Sequence, residues 1–323
     1  MTAPADRRVT APAILVYYPA AGEARAYADL VRLPRRSLSV HVAHTPEEAG
    51  ALIAESEILY AWSFPARLLA HAPGLRWVQV MGAGVERVLV PELPPRVIVT
   101  RAAGIFGAWM AEYTLGWCFW VTQRIERFRA QQRERCWAPV DPLRLRGATL
   151  CVVGLGDIGR EIARAARRGG MRVVGVTRSA RPVREAERVY RARAIGTALA
   201  RADFVVLTVP LGPDTCGLIG KHELAAMKSS AWLINIARGP VVDERALLAA
   251  LRERRIGGAV LDVFDQEPLP PDHPFWVLDN VAITPHIAGP STPVEIAPIF
   301  TDNLRRYLAH RPLRHVVDRN RGY

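Results

Sequence analysis

Leu150-Cys151-Val152-Val153-Gly154-Leu155-Gly156-Asp157-Ile158-Gly159-Arg160-Glu161-Ile162-Ala163 is the stretch from which the rest of the chain is read. The apolar run from Ala148 to Val153 predicts a buried parallel strand. It breaks at Gly154-Leu155-Gly156, and the next residues place Ile158, Ile162 and Ala165 on one face of a helix. A strand, a glycine turn and a helix are the context in which G-x-G-x-x-G reads as a dinucleotide site. Gly154 permits the tight turn, Gly156 admits the backbone to a pyrophosphate, and Gly159 lets helix and strand pack closely. The free N–H groups and the positive dipole end of the helix would face the phosphates. The expected contacts there are Gly154, Leu155, Gly156, Asp157, Ile158 and Gly159.

Upstream of this motif, strands are predicted at Ala13–Tyr18, Ser39–Val42, Glu57–Tyr60, Trp77–Val80 and Arg96–Thr100. Helical patterns separate several of them: Glu23–Leu33, one opening at Pro46, and Ala66–Ala70. Such alternation predicts a parallel sheet with helices on both faces. Met81-Gly82-Ala83-Gly84-Val85 follows a strand end, where small residues expose N–H groups able to hold a carboxylate. Gly107 to Gln131 carries one long helical pattern rich in Trp109, Trp117, Phe119, Trp120 and Phe128. We read it as a buried connector that also packs against a second subunit, which predicts a homodimer.

Downstream, Met171–Val176 forms the next strand and ends in Thr177-Arg178-Ser179. A site for NAD places Asp or Glu about 20 residues after the glycines, on the ribose 2′-hydroxyl. Thr177 stands there instead, followed by Arg178, Ser179 and Arg181. A carboxylate repels a 2′-phosphate and a guanidinium pairs with it, so the expectation is NADP(H) in preference to NAD(H). Further strands are expected at Phe204–Val209, Trp232–Ile236, Ala259–Val263 and Val281–Thr284, with helices at Glu244–Arg254 and Thr292–Leu308. The turn at Pro210 faces the cofactor crevice of such a sheet.

Length and composition agree with this outline. A chain of 323 residues supports two domains of ordinary size, and 50% hydrophobic with 23% charged residues is a globular profile. The longest apolar stretch, Leu115 to Val121, is too short to span a bilayer. The segment before residue 13 has no apolar core with a cleavage site, so it reads as a frayed tail and not a secretory signal. Cys118, Cys136, Cys151 and Cys216 lack any C-x-x-C spacing, which predicts reduced thiols, a cytoplasmic location and no metal site. The net charge of +12 is almost wholly arginine, scattered among acids. It reads as a solvated surface that also attracts anionic ligands, and no nucleic-acid module accompanies it.

Three polar side chains each follow an expected strand: Arg238, Glu267 and His286. In a doubly wound sheet those ends converge on the crevice. Here the sequence resembles the D-isomer-specific 2-hydroxyacid dehydrogenases. The resemblance lies in Gly154–Gly159, Asn235-Ile236-Ala237-Arg238-Gly239-Pro240-Val241-Val242-Asp243 and Leu261-Asp262-Val263-Phe264-Asp265-Gln266-Glu267-Pro268-Leu269. His273-Pro274-Phe275-Trp276, Thr284-Pro285-His286-Ile287-Ala288-Gly289 and the ending Val317–Tyr323 extend it towards the NADPH-dependent glyoxylate/hydroxypyruvate reductases.

The resemblance implies that Arg238 grips the substrate's carboxylate and 2-oxo oxygen. It makes His286 the proton donor and Glu267 the partner that orients its ring. Asp262 would bind the nicotinamide carboxamide, with Pro210, Ile236, His286 and Gly289 completing the cofactor contacts. Gly82, Ala83 and Gly84 would take the substrate carboxylate and Trp109 would line the pocket. The expected architecture is α/β: two doubly wound (Rossmann/flavodoxin-like) parallel-sheet domains around a cleft. Residues 1–100 with 291–323 would bind substrate, and 101–290 the dinucleotide. A dehydrogenase for a bulkier 2-oxoacid or for phosphoglycerate, and a nucleotide-sensing corepressor-like protein, are the alternatives the fold leaves open.

Overall fold

The computed structural model describes residues 12–33 and 37–322. Residues 1–11 of the expected N-terminal tail, and the final Tyr323, lie outside the described residues. The chain divides into two compact units: the described residues up to Ile105 together with those from Ser291 onward, and Phe106–Pro290.

In the first unit, strands β1 (Ala13–Tyr17), β2 (Ser39–Ala43), β3 (Ile58–Ala61), β4 (Trp77–Val80) and β5 (Ile98–Arg101) alternate with helices α1 (Ala21–Asp29), α2 (Pro46–Ile53) and α3 (Ala66–Leu69). The sheet order is β2-β1-β3-β4-β5, every pair parallel, which is the flavodoxin-like winding. β3 and β4 are buried at every position, as an apolar run covered on both faces requires. α1 ends four residues before the expected Leu33.

The second unit opens with α4 (Phe106–Thr122) and α5 (Ile125–Glu134), then β6 (Thr149–Val153), α6 (Asp157–Arg168), β7 (Arg172–Thr177) and β8 (Arg188–Arg191). It continues with α7 (Ile195–Leu199), β9 (Phe204–Leu207), α8 (Lys221–Ala226), β10 (Trp232–Asn235), α9 (Glu244–Arg252), β11 (Gly258–Leu261) and β12 (Val281–Ile283). Its sheet runs β12-β11-β10-β9-β6-β7-β8, all parallel. The order reverses between β6 and β9, the switch point at which doubly wound sheets bind ligands. α10 (Pro293–Leu308) then returns to the first unit, burying Ile296, Phe300 and Leu304. Phe300 stacks between Tyr60 and Trp77, with centroids at 4.2 and 5.2 Å.

Two expectations are corrected. The helix read as continuous from Gly107 to Gln131 is two helices, broken where Arg124 takes a left-handed φ of 55°. The cause is remote: the Leu143 N–H donates to the Thr122 carbonyl at 2.7 Å, taking the acceptor that a continuing helix would use. Nor is this connector buried throughout. Ala111, Thr114 and Cys118 form its inner stripe, whereas Trp109, Phe119 and Phe128 are 42%, 48% and 39% exposed and α5 buries no residue. The edge strand β8 carries no strand signal in the sequence, because arginine stands at both of its ends and only Tyr190 is buried. Among the described residues no helix is long and apolar enough to cross a membrane.

Candidate active site

The glycine turn is held by backbone geometry. β6 is buried at all its positions, and Gly154 then takes φ +102°, which a side chain rarely tolerates. The Thr208 hydroxyl donates to the Gly154 carbonyl at 2.6 Å, tying the turn to the end of β9. A Cβ on Gly159 would stand 1.9 Å from the Gly154 carbonyl oxygen, so helix and turn touch backbone to backbone. Gly156 is exposed, has open space around it and, as N-cap of α6, brings no side chain over the helix end. These features fit a pyrophosphate, since an uncapped N-terminus offers N–H donors and the positive dipole end. Asp157 and Ile158 start the helix, while Leu155 is buried and offers its backbone alone. At the end of β7 the Thr177 hydroxyl accepts from the Ala180 N–H at 3.0 Å, and Arg178, Ser179 and Arg181 are exposed in that turn.

Neighbouring strands β10, β11 and β12 deliver the polar side chains. Asn235, 1% exposed, closes the end of β10: its amide donates to the Arg238 carbonyl at 3.0 Å and its oxygen accepts from the Ala237 N–H at 3.1 Å. Arg238 emerges half-buried, with Nη1 donating to the Ala237 carbonyl at 2.6 Å. Gly239 lies flat on the next loop, where a Cβ would come within 2.0 Å of the Phe264 carbonyl carbon. In that loop Oε1 of Glu267 accepts from the Phe264 N–H at 3.2 Å. Its Oε2 accepts from His286 Nδ1 at 2.8 Å, the two side chains being 23% and 36% exposed. A carboxylate only accepts, so the proton of this bond sits on Nδ1 and Nε2 is the nitrogen turned away from Glu267.

His286 itself occupies the left-handed region at φ 55°. Such a conformation costs about 1–3 kcal/mol and persists only where the surroundings impose it. Asp262 imposes it here: its carbonyl accepts from the His286 N–H at 2.9 Å. Its buried carboxylate accepts from the N–H groups of Ile287 and Ala288, both at 2.9 Å, and from the Thr284 hydroxyl. Ile236 is buried beneath these loops, and Pro210 and Gly289 are half-buried in theirs.

Gly82, Ala83 and Gly84 belong to the first unit, just after β4. Gly82 is buried under Trp62, whose ring would lie 2.7 Å from an added Cβ. Trp109 belongs to α4 of the second unit. Thr208, Asn235, Thr284 and Tyr113 carry no functional signal in the sequence: Asn235 and Thr284 stand inside the family-like motifs, but their partners are visible only in three dimensions. Among the described residues no cluster of His, Cys, Asp and Glu could hold a metal ion.

A family model for the NAD-binding domain of the D-isomer-specific 2-hydroxyacid dehydrogenases matches residues 115–288. A glyoxylate reductase from Thermofilum pendens is 38% identical over 234 residues, covering 69% of this chain and 68% of that protein. Among solved structures, a family member from Aeromonas salmonicida aligns with a TM-score of 0.88 at 35% identity, covering 96% of this chain and 99% of that one. An NADPH-dependent glyoxylate/hydroxypyruvate reductase from Sinorhizobium meliloti, in complex with NADP and sulfate, aligns with a TM-score of 0.87 at 29% identity, covering 97% and 100%. With its two parallel sheets, its glycine turn at the switch point and these matches, the chain belongs to the D-isomer-specific 2-hydroxyacid dehydrogenases, oxidoreductases that use a nicotinamide dinucleotide.

Proposed function

We propose that this protein catalyses NADPH-dependent reduction of a small 2-oxoacid, glyoxylate or hydroxypyruvate, to the D-2-hydroxyacid, with His286 as general acid. The observation that carries this is the His286–Glu267 pair at 2.8 Å, set beside the Arg238 loop at adjoining strand ends. The nicotinamide, when bound, supplies the hydride to the carbonyl carbon. Arg238 holds the substrate's carboxylate and 2-oxo oxygen through its fork of donors. His286 in its imidazolium form keeps Nδ1–H on Glu267 and gives the Nε2 proton to the carbonyl oxygen as the alkoxide forms; the reverse reaction returns it. Glu267 fixes the ring and balances its charge.

Gly154, Leu155, Gly156, Asp157, Ile158 and Gly159 hold the pyrophosphate in this assignment, and Arg178 and Arg181, with Thr177 and Ser179, take the 2′-phosphate. Asp262, Pro210, Ile236, His286 and Gly289 surround the nicotinamide end. On this reading the unit Phe106–Pro290 binds the dinucleotide and the other unit the substrate, through Gly82, Ala83 and Gly84; Trp109 is a further substrate residue in this assignment. The half-exposed Phe119, Ile125 and Phe128 of α4 and α5 favour a homodimer in this reading, and the widely spaced cysteines a cytoplasmic location. Sedimentation as a monomer at micromolar concentration would reject the dimer.

The test is NADPH oxidation at about 340 nm, the reduced-nicotinamide band, with glyoxylate, hydroxypyruvate, pyruvate and phenylpyruvate, each repeated with NADH. Fast turnover of the two small acids with NADPH is expected. Tight NADPH binding without turnover of any of them refutes the assignment. His286→Ala should abolish most of kcat, about 100-fold or more, and leave NADPH binding intact.

A further inference from the structure

Tyr113, on α4, stands 171 residues before Thr284 in the chain, yet its hydroxyl lies 2.6 Å from the Thr284 hydroxyl. The direction of this bond follows from the next one. Thr284 has a single hydroxyl proton and gives it to the Asp262 carboxylate, which can only accept. Tyr113 is therefore the donor to Thr284, and the bonds run one way, from Tyr113 through Thr284 to Asp262. From Asp262 they reach the Ile287 and Ala288 N–H groups at 2.9 Å each, the two residues that follow His286. Burial pushes the Tyr113 hydroxyl well above its ordinary pKa, so it remains a donor throughout the working range. Its ring is held edge-on by Trp117, which meets Trp120, which meets Trp232 at the start of β10.

We propose that Tyr113 is a positioning residue for His286, acting through Thr284 and Asp262 to hold the left-handed turn that aims the imidazole at Glu267. The inference rests on the proposed role of His286. The turn is strained: the Asp262 carbonyl holds the His286 N–H and the Asp262 carboxylate holds the N–H groups of the next two residues, so the orientation of that carboxylate bears on the orientation of the ring. Removing the hydroxyl at the far end leaves Thr284 without its donor and loosens the Thr284 hydroxyl that helps to hold the carboxylate, without touching Arg238, Glu267 or the glycine turn.

The experiment compares Tyr113→Phe, Thr284→Ser, Thr284→Val and the double variant Tyr113→Phe/Thr284→Val with the wild-type chain. Phenylalanine keeps the ring packing and isolates the hydroxyl. Two readouts are taken: steady-state kinetics with NADPH and glyoxylate, and hydrogen exchange of the Ile287 and Ala288 amides in the cofactor-free protein. Tyr113→Phe should lower kcat about 3- to 10-fold, the worth of one buried hydrogen bond, with KM for glyoxylate within about twofold. The two amides should exchange about 3- to 10-fold faster while distant core amides do not change. Thr284→Ser, which keeps the hydroxyl, should hold both readouts near wild type, Thr284→Val should change both, and the double variant should be no worse than Thr284→Val alone because both act in one chain of bonds. Wild-type exchange at Ile287 and Ala288 in Tyr113→Phe, or strictly additive losses in the double variant, overturns the proposal. Faster exchange in a protein whose wild type reduces no 2-oxoacid would leave the coupling standing and sink the assigned reaction instead.

Discussion

Gly159→Ala tests the dinucleotide site with a single methyl group. The Cβ would lie 1.9 Å from the Gly154 carbonyl oxygen and 2.9 Å from Thr208 Oγ1. A carbon and a carbonyl oxygen ordinarily approach no closer than about 3.3 Å, so α6 and the turn must separate by about 1.4 Å. Neither neighbour yields easily: the carbonyl is backbone, and the threonine is itself bonded to Gly154 at 2.6 Å. Overpacking of this kind costs about 1–3 kcal/mol, and contact with backbone places it near 3. For a unit the size of Phe106–Pro290 this lowers Tm by about 6–12 °C. The displaced N–H groups also lose their aim at the phosphates. One charge-assisted hydrogen bond is worth about 1.5–3 kcal/mol, so the NADPH Kd should rise about 10- to 150-fold. Thermal unfolding without ligand and a fluorescence titration with NADPH measure the two effects separately. A variant with wild-type Tm and wild-type Kd would refute both the close approach and the placing of the phosphates.

Glu267→Gln keeps the shape of the His286 partner and removes its charge; kcat should fall about 10- to 150-fold with KM little changed, and an unaltered kcat would reject an orienting role. Arg178→Glu should cut kcat/KM for NADPH at least about 10-fold while that for NADH stays within about threefold; equal losses with both cofactors would mean the arginine does not read the 2′-phosphate. Burial pushes the Cys151 thiol up to about 12 and that of Cys118 higher still, whereas Cys136 and Cys216 are exposed. A disulfide reagent at about pH 8 should therefore titrate two thiols per folded chain quickly and the other two only on unfolding. Rapid reaction of all four would contradict the packing of β6 and α4.

The legible parts of this fold and site were the local ones. β6, its glycine turn and α6 declare themselves within fourteen consecutive residues, because burial, turn and helix face each leave a pattern at short range. Arg238, Glu267 and His286 stood out as polar residues directly after apolar runs, and the sheet order puts those runs side by side. What the sequence hid depends on partners far along the chain. The break at Arg124 is decided by Leu143, and no glycine or proline marks it. Thr208 acts on Gly154 across 54 positions and Tyr113 on Thr284 across 171. The exposure of Trp109, Phe119 and Phe128 was equally hidden, since hydrophobicity alone does not distinguish a core stripe from an apolar face left for a partner.

The candidate acid–base site is one continuous run of side-chain and backbone contacts. Asn235 fixes the loop of Arg238, Gly239 presses that loop on Phe264, the Phe264 N–H holds Glu267, Glu267 holds His286, and His286 returns to Asp262. Groups locked in this way need little reorganisation when charge develops on the substrate. All of these residues lie in Phe106–Pro290, the unit that also contains every residue matched by the family model. Chemistry that depends on such tight mutual contacts leaves little room for variation, and a different substrate is accommodated more cheaply where fewer constraints meet. On the proposed assignment that place is the other unit, where Trp62 covers Gly82 beside the turn assigned to the substrate carboxylate. On that assignment, changing the bulk at Trp62 should alter the ratio of kcat/KM for phenylpyruvate to that for glyoxylate, and an unchanged ratio would refute it.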